Sequence, residues 1–137
     1  MSCDYLEKVK KPGQQVNRLF NFLEVEVEEI SKEKAALRLK AKKDFLQGGG
    51  IVAGGILATM LDESMAHVVL ANLSEGEKTV TIDMNVSYLK AVNGSDYLLA
   101  EGRIVRRGRR VIYVEADIRL ESGAVAAKAT ASFLVWS

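Results

Sequence analysis

The 137-residue chain has one cysteine, one proline, one histidine and one tryptophan. A lone Cys3 cannot close an internal disulfide, which excludes a cysteine-stapled scaffold and points to a reducing, cytoplasmic setting. A lone Pro12 leaves no proline-rich linker, so residues 1–137 read as a single domain. His67 and a distant cysteine are too few for a metal site by ligand spacing, and they complete no Ser-His-Asp set. The chain also lacks net charge: 19 Lys+Arg oppose 18 Asp+Glu. Bulk electrostatics therefore favour neither nucleic acid nor an anionic membrane as a partner. Long apolar runs are missing too. The longest, over residues 54–73, is interrupted by Asp62, Glu63 and His67, which excludes a membrane span. Residues 1–13 have no apolar segment of the kind a secretory leader needs.

What is present suits a folded core: 48% of residues are hydrophobic and 27% charged, close to the globular average. Residues 3–22 read as a short helix broken near Pro12-Gly13, turning Val16, Leu19 and Phe20 inward. Leu23, Val25 and Val27 then alternate with Glu24, Glu26 and Glu28, and Leu37, Leu39 and Ala41 with Arg38, Lys40 and Lys42. Such period-two alternation marks half-buried strands. Pairing them around Lys32-Glu33-Lys34 sets Glu28 opposite Arg38, Glu26 opposite Lys40 and Glu24 opposite Lys42, so opposite charges help to fix the register.

A glycine-rich loop (Gly48-Gly49-Gly50, then Gly54-Gly55) precedes a helix of about five turns ending near Leu73. Four strands follow, over residues 79–89, 97–105, 111–120 and 124–136. In the first, Val80, Ile82, Met84, Val86 and Tyr88 alternate with Thr81, Asp83, Asn85 and Ser87. In the last, Ala127, Ala129 and Ala131 share one face and admit close approach of another layer. Strands joined by short turns give an antiparallel sheet, and one apolar helix covers one of its faces. The expected fold is α+β, a sheet wrapped around one long central helix, with a short N-terminal helix. The other face or an edge is left for a second copy.

Several residues invite chemistry. Gly48, Gly50 and Ala53 formally match G-x-G-x-x-A, but no buried strand precedes them and no βαβ unit follows. No Lys-Ser/Thr follows Gly54-Gly55, which excludes a P-loop. What survives is a helix N-terminus whose free amides suit an anion or developing oxyanion, unless the glycines serve only a tight turn and close packing. Neighbouring residues on a helix differ by about 100°. If Glu63 pairs with His67 one turn on, Asp62 points nearer the buried side, where partial burial suits a general base or nucleophile. The alternative leaves Asp62 exposed or capping a neighbour. Arg103, Arg106, Arg107, Arg109 and Arg110 cluster at a hairpin tip, either solvated or as a seat for phosphates.

In combination these features resemble the hotdog-fold acyl-CoA thioesterases of the phenylacetyl-CoA (PaaI-type) kind, over nearly all of residues 20–136. The likeness rests on Gln47-x-x-Gly50-x-x-Ala53-Gly54-Gly55 with Asp62 seven residues after Gly55. It rests also on residues 81–90, Thr81 to Lys90, and on Gly102-Arg103 with Arg107-Gly108-Arg109. Members of this family usually carry asparagine where Gln47 stands and histidine where Ala53 stands.

The resemblance implies that Asp62 activates water, or attacks directly, at a thioester carbonyl. It implies that the Gly54 amide polarises the carbonyl oxygen, helped by Gln47, and that Thr81 helps to hold the water. Gly55 and Glu63 fall among the substrate-binding positions. Lys90, Arg107, Arg109 and Arg110 are the expected partners of coenzyme A phosphates. No metal or redox cofactor is expected, coenzyme A being part of the substrate. Gly54 and Asp62 are eight residues apart, about 12 Å along a helix, so a site using both combines two subunits. The expected state is a homodimer or a dimer of dimers, which the resemblance also implies. With histidine absent at Ala53, the alternative is an acyl-CoA-binding protein without turnover. A hydratase would call for a His-acid pair, which Ala53 does not supply.

Overall fold

The structure is a computed structural model and describes residues 3–137, apart from the side chain of Cys3, on which the disulfide argument turned. The N-terminal segment forms two short helices, α1 (Cys3–Val9) and α2 (Arg18–Leu23). The break lies at the expected place, where Gly13 adopts a positive φ of 72° after Pro12. Asn17 caps α2, its Oδ1 accepting the Phe20 amide at 3.0 Å. Phe20 turns inward as expected, but Val16 and Leu19 remain about 40% exposed. The reason is the shortness of α2: Phe20 and Leu23, three residues apart, fill its one buried face.

Strands β1 (Glu26–Ile30) and β2 (Ala35–Lys40) form the expected antiparallel hairpin, with a different register. Glu26, not Glu28, lies opposite Arg38, and a bulge falls between Val27 and Glu29. The strand starts late because Glu24 takes a left-handed conformation and the Val25 amide bonds back to the Phe20 carbonyl. Two of the three expected charge pairs nevertheless form between side chains, Arg38–Glu28 at 3.3 Å and Lys42–Glu24 at 3.0 Å. Lys40 instead lies over the Tyr97 ring.

After a loop and a short 3-10 turn comes α3 (Gly54–Ala71), whose 18 residues match the expected five turns. Strands β3 (Lys78–Tyr88), β4 (Tyr97–Arg107), β5 (Val111–Leu120) and β6 (Val125–Trp136) complete one antiparallel sheet in the order β1-β2-β4-β5-β6-β3. The sheet packs on α3, burying Leu57, Met60, Leu61, Met65 and Val68 against Leu37, Leu98, Ile112, Ile118 and Phe133. This is the helix-in-sheet hotdog arrangement expected from the sequence. Ala127, Ala129 and Ala131 are buried in the core on β6.

The helix packs tightly on the sheet at Gly102 of β4, where a Cβ would meet the Ser64 carbonyl oxygen at 2.7 Å. That contact fixes the height of the helical turn carrying Asp62 and Glu63. Across the sheet, β3 is the outer strand beyond β6. Its Val80, Ile82 and Tyr88 are each more than half exposed.

Candidate active site

The loop before α3 folds back on itself. The Gln47 amide bonds the Ile51 carbonyl, the Gly50 amide the Gln47 carbonyl, and the Ala53 amide the Phe45 carbonyl. Gly50 has φ 86°, a conformation that favours glycine. The Gln47 side chain closes the same turn by accepting the Gly49 amide through Oε1, which leaves its Nε2 as a donor. The helix N-cap is Ala53, which supplies no side-chain cap. The Gly54 and Gly55 amides therefore find no acceptor among the described residues, as at the start of any uncapped helix. Gln47, Ile51, Gly54, Leu57, Tyr88, Leu89, Lys90 and Val92 line a cleft of about 320 Å³ at this end of the molecule. Three expected site residues, Gln47, Gly54 and Lys90, thus meet in one place.

Asp62 and Thr81 meet in another. Thr81 Oγ1 donates to Asp62 Oδ1 at 3.2 Å, joining α3 to the outer strand β3. Simple alternation from Val80 to Tyr88 would turn Thr81 away from the helix along with Asp83. A bulge between Thr81 and Asp83 breaks that alternation. Thr81 lies opposite the buried Phe133 and thus shares the helix-facing side with Met84, opposite Ala131. The bulge makes the Thr81–Asp62 contact possible.

Glu63 departs from the sequence reading. It is half-buried rather than exposed, and among the described residues its side chain makes no hydrogen bond or ion pair. Burial, with a smaller contribution from the neighbouring Asp62 charge, pushes its carboxyl up from 4.5 to about 7. His67 does not pair with that carboxylate. It is only 3% exposed, and its Nδ1 lies 2.7 Å from the Glu63 backbone carbonyl oxygen. A carbonyl only accepts, so Nδ1 carries the proton and Nε2 accepts from the Tyr5 hydroxyl at 2.9 Å. Asn17 in turn donates to that hydroxyl oxygen. The Phe20 and Tyr5 rings flank the imidazole, and burial lowers the His67 pKa. His67 thus ties the N-terminal helices to α3.

The basic cluster splits. Arg103 is held by Asp117 at 3.1 Å, with Glu101 and Glu115 nearby. Arg107 donates to Glu77 at 3.0 Å and to the Gly108 carbonyl. Arg106, Arg109 and Arg110 are exposed, and among the described residues their side chains make no ion pair or hydrogen bond. Lys90 is exposed at the cleft and likewise unpaired. Gly55 is exposed on the first turn of α3 without lining the cleft. Among the described residues no cluster of three or more His, Cys, Asp or Glu could hold a metal ion, and no helix is long and apolar enough to cross a membrane.

Tyr88 was not singled out by the sequence. It lines the cleft, and its hydroxyl donates to the Gly54 carbonyl at 2.8 Å. A tyrosine at a strand end carries no signal of its own, and only the tertiary contact reveals it.

Comparison with known proteins places these features in a family. The model of the Thioesterase superfamily matches residues 49–127, which include both the Gly54 turn and the Asp62–Thr81 pair. A protein of Halobacterium salinarum named as an esterase is 34% identical over 105 residues, covering 73% of this chain and 68% of its own. A thioesterase of Streptococcus pneumoniae TIGR4, solved with coenzyme A, is 29% identical with a TM-score of 0.75, over 81% of this chain and 87% of its own. A phenylacetic acid degradation-related thioesterase of Ralstonia eutropha JMP134 is 27% identical with a TM-score of 0.84, over 95% of this chain and 98% of its own.

Proposed function

The chain belongs to the thioesterase superfamily and is a thioester hydrolase, and from that premise we propose that it cleaves acyl-CoA to a free carboxylic acid and coenzyme A. Asp62 acts as general base or nucleophile, with Thr81 holding the attacking water beside it. As a base, Asp62 takes a proton from water while the water oxygen bonds the thioester carbon. The carbonyl electrons move onto oxygen, where the uncapped Gly54 amide and the Gln47 Nε2 donate to it. Collapse of that intermediate breaks the carbon–sulfur bond and releases the coenzyme A thiolate, which takes up a proton. Lys90 of one copy and the unpaired Arg109 and Arg110 of the other, which lie at opposite ends of the sheet within one chain, face the phosphates of coenzyme A. Arg107, already engaged with Glu77, has a secondary part.

The observation that supports this reading most is the uncapped first turn of α3 opening into the cleft that Lys90 flanks. The bound coenzyme A of the Streptococcus pneumoniae relative supports the choice of thioester. Gly54 and Asp62 lie on one continuous helix, about 12 Å apart along its axis. One carbonyl cannot reach both, so the site takes Gly54 from one copy and Asp62 from another, with β3 as the edge along which the copies join. Thiol release from short-chain, long-chain and aromatic acyl-CoAs tests the proposal. The expected result is turnover of at least one class by the native chain and its collapse in Asp62→Asn. Binding of every acyl-CoA without thiol release would contradict it.

A further inference from the structure

We infer that Tyr88 is a positioning residue for the hydrolysis, holding the oxyanion-binding turn of α3 in place from the end of strand β3. This rests on the proposed use of the Gly54 amide. Two independent observations join Tyr88 to that turn. Its hydroxyl donates to the Gly54 carbonyl at 2.8 Å. Its ring and hydroxyl also occupy the space beside Gly54, so that a Cβ there would lie only 3.1 to 3.3 Å from Cζ, Oη and Cε1. The first contact sets the orientation of the Gly54–Gly55 peptide, and the second shows how closely the Tyr88 ring packs on the turn.

The need for such a holder follows from how the helix begins. Ala53 offers no side chain to bond the free amides, and an uncapped first turn frays readily. Gly54 and Gly55, the first two helical residues, have more backbone freedom than any other pair would. Catalysis by a fixed dipole needs donors that are already aimed before charge develops. Tyr88 supplies an anchor from the sheet, which does not fray with the helix end. Its bond has a second effect. The Gly54 carbonyl and the Gly55 N–H belong to one peptide group, and donation to the oxygen strengthens the N–H as a donor. Tyr88 itself needs no contact with the reacting atoms.

Tyr88→Phe keeps the ring and removes the hydroxyl. The expected result is a fall in kcat of about three- to tenfold, the size of one hydrogen bond, with KM little changed. The melting temperature should stay near the native value, since the residue is more than half exposed. Asp62→Asn run alongside separates the two failures. Native kcat in Tyr88→Phe with Asp62→Asn inactive would overturn the positioning role while leaving the proposed chemistry standing. Native turnover in Asp62→Asn would instead overturn the reading on which the role depends. A rise in KM alone would show the phenol gripping substrate, which also overturns the inference.

Discussion

Asp62 and Glu63 are adjacent carboxylates whose surroundings differ. Asp62 accepts from Thr81; Glu63 is half-buried with its side chain unpaired. The sequence marks this pair as informative and favours partial burial of Asp62, which the fold shows, but leaves Glu63 exposed. It could not do better, because what covers Glu63 comes from the packed fold rather than from its helical neighbours. Glu63 also gives a pH dependence. Its folded pKa of about 7 exceeds the ordinary 4.5, so its ionisation opposes folding. That stability is fully present below pH 4.5 and is lost as pH rises through about 7. Glu63→Gln should therefore be more stable than the native chain at pH 8, by on the order of 1–2 kcal/mol, and equal to it at pH 4. Urea unfolding at the two pH values measures both, and equal stabilities at pH 8 would refute the assignment. Thr81→Val, which keeps shape and removes the hydroxyl, should lower kcat about tenfold without unfolding the chain. Steady-state kinetics and a thermal melt check that pair of outcomes.

Secondary-structure elements were the most legible part of the sequence, and their irregularities the least. Long periodic stretches gave α3 and β3 to β6 to within a residue or two at most ends. The β3 bulge was invisible, because period-two counting carries straight through it. Yet the bulge turns Thr81 toward Asp62. The β1 register failed for a related reason: the chain leaving α2 spends Glu24 and Val25 on a helix stop before the strand can start. Gly102 belongs to a motif of the sequence, and its physical reason is the close packing of α3 on β4. Gly102→Ala would drive a Cβ to 2.7 Å from the Ser64 carbonyl oxygen and 2.9 Å from the Met65 amide nitrogen. Backbone cannot swing aside as a long side chain can. The expected cost is about 2–4 kcal/mol, read as a lower urea midpoint with unchanged m.

The tie between α1 and α3 is a similar matter of elements. Tyr5→Phe leaves the buried Nε2 of His67 without its donor, at an expected cost of about 1–3 kcal/mol. His67 titrates below its ordinary 6.5. Its contribution is therefore present above pH 6.5 and lost as pH falls through its lowered folded value. Thermal melts of native and Tyr5→Phe protein at pH 7 check the cost.

At the scale of the whole molecule, the proposed site divides into two halves within one chain: the uncapped turn at Gly54 and the Asp62–Thr81 pair. The helix keeps them about 12 Å apart along its axis. The outer strand β3, with Val80, Ile82 and Tyr88 more than half exposed, is an unpaired edge of the kind that proteins cover by association. The spacing of the two residues was legible in the sequence, whereas the edge that would join two copies became visible only with the strand order. Two variants separate the halves. Asp62→Asn removes the carboxylate. Gly54→Pro removes the amide hydrogen and adds a ring whose Cβ presses on the Tyr88 side chain; its backbone fits, because proline suits the first helical position and Ala53 already has the extended conformation that a following proline prefers. Each variant alone should be inactive. The most direct test of the account is thiol release by the two variants coexpressed in equal amounts. Random pairing makes half the dimers mixed, each with one intact site, so the account predicts recovery of roughly a quarter of native turnover. No recovery from mixed dimers of demonstrated composition would contradict a site shared between copies.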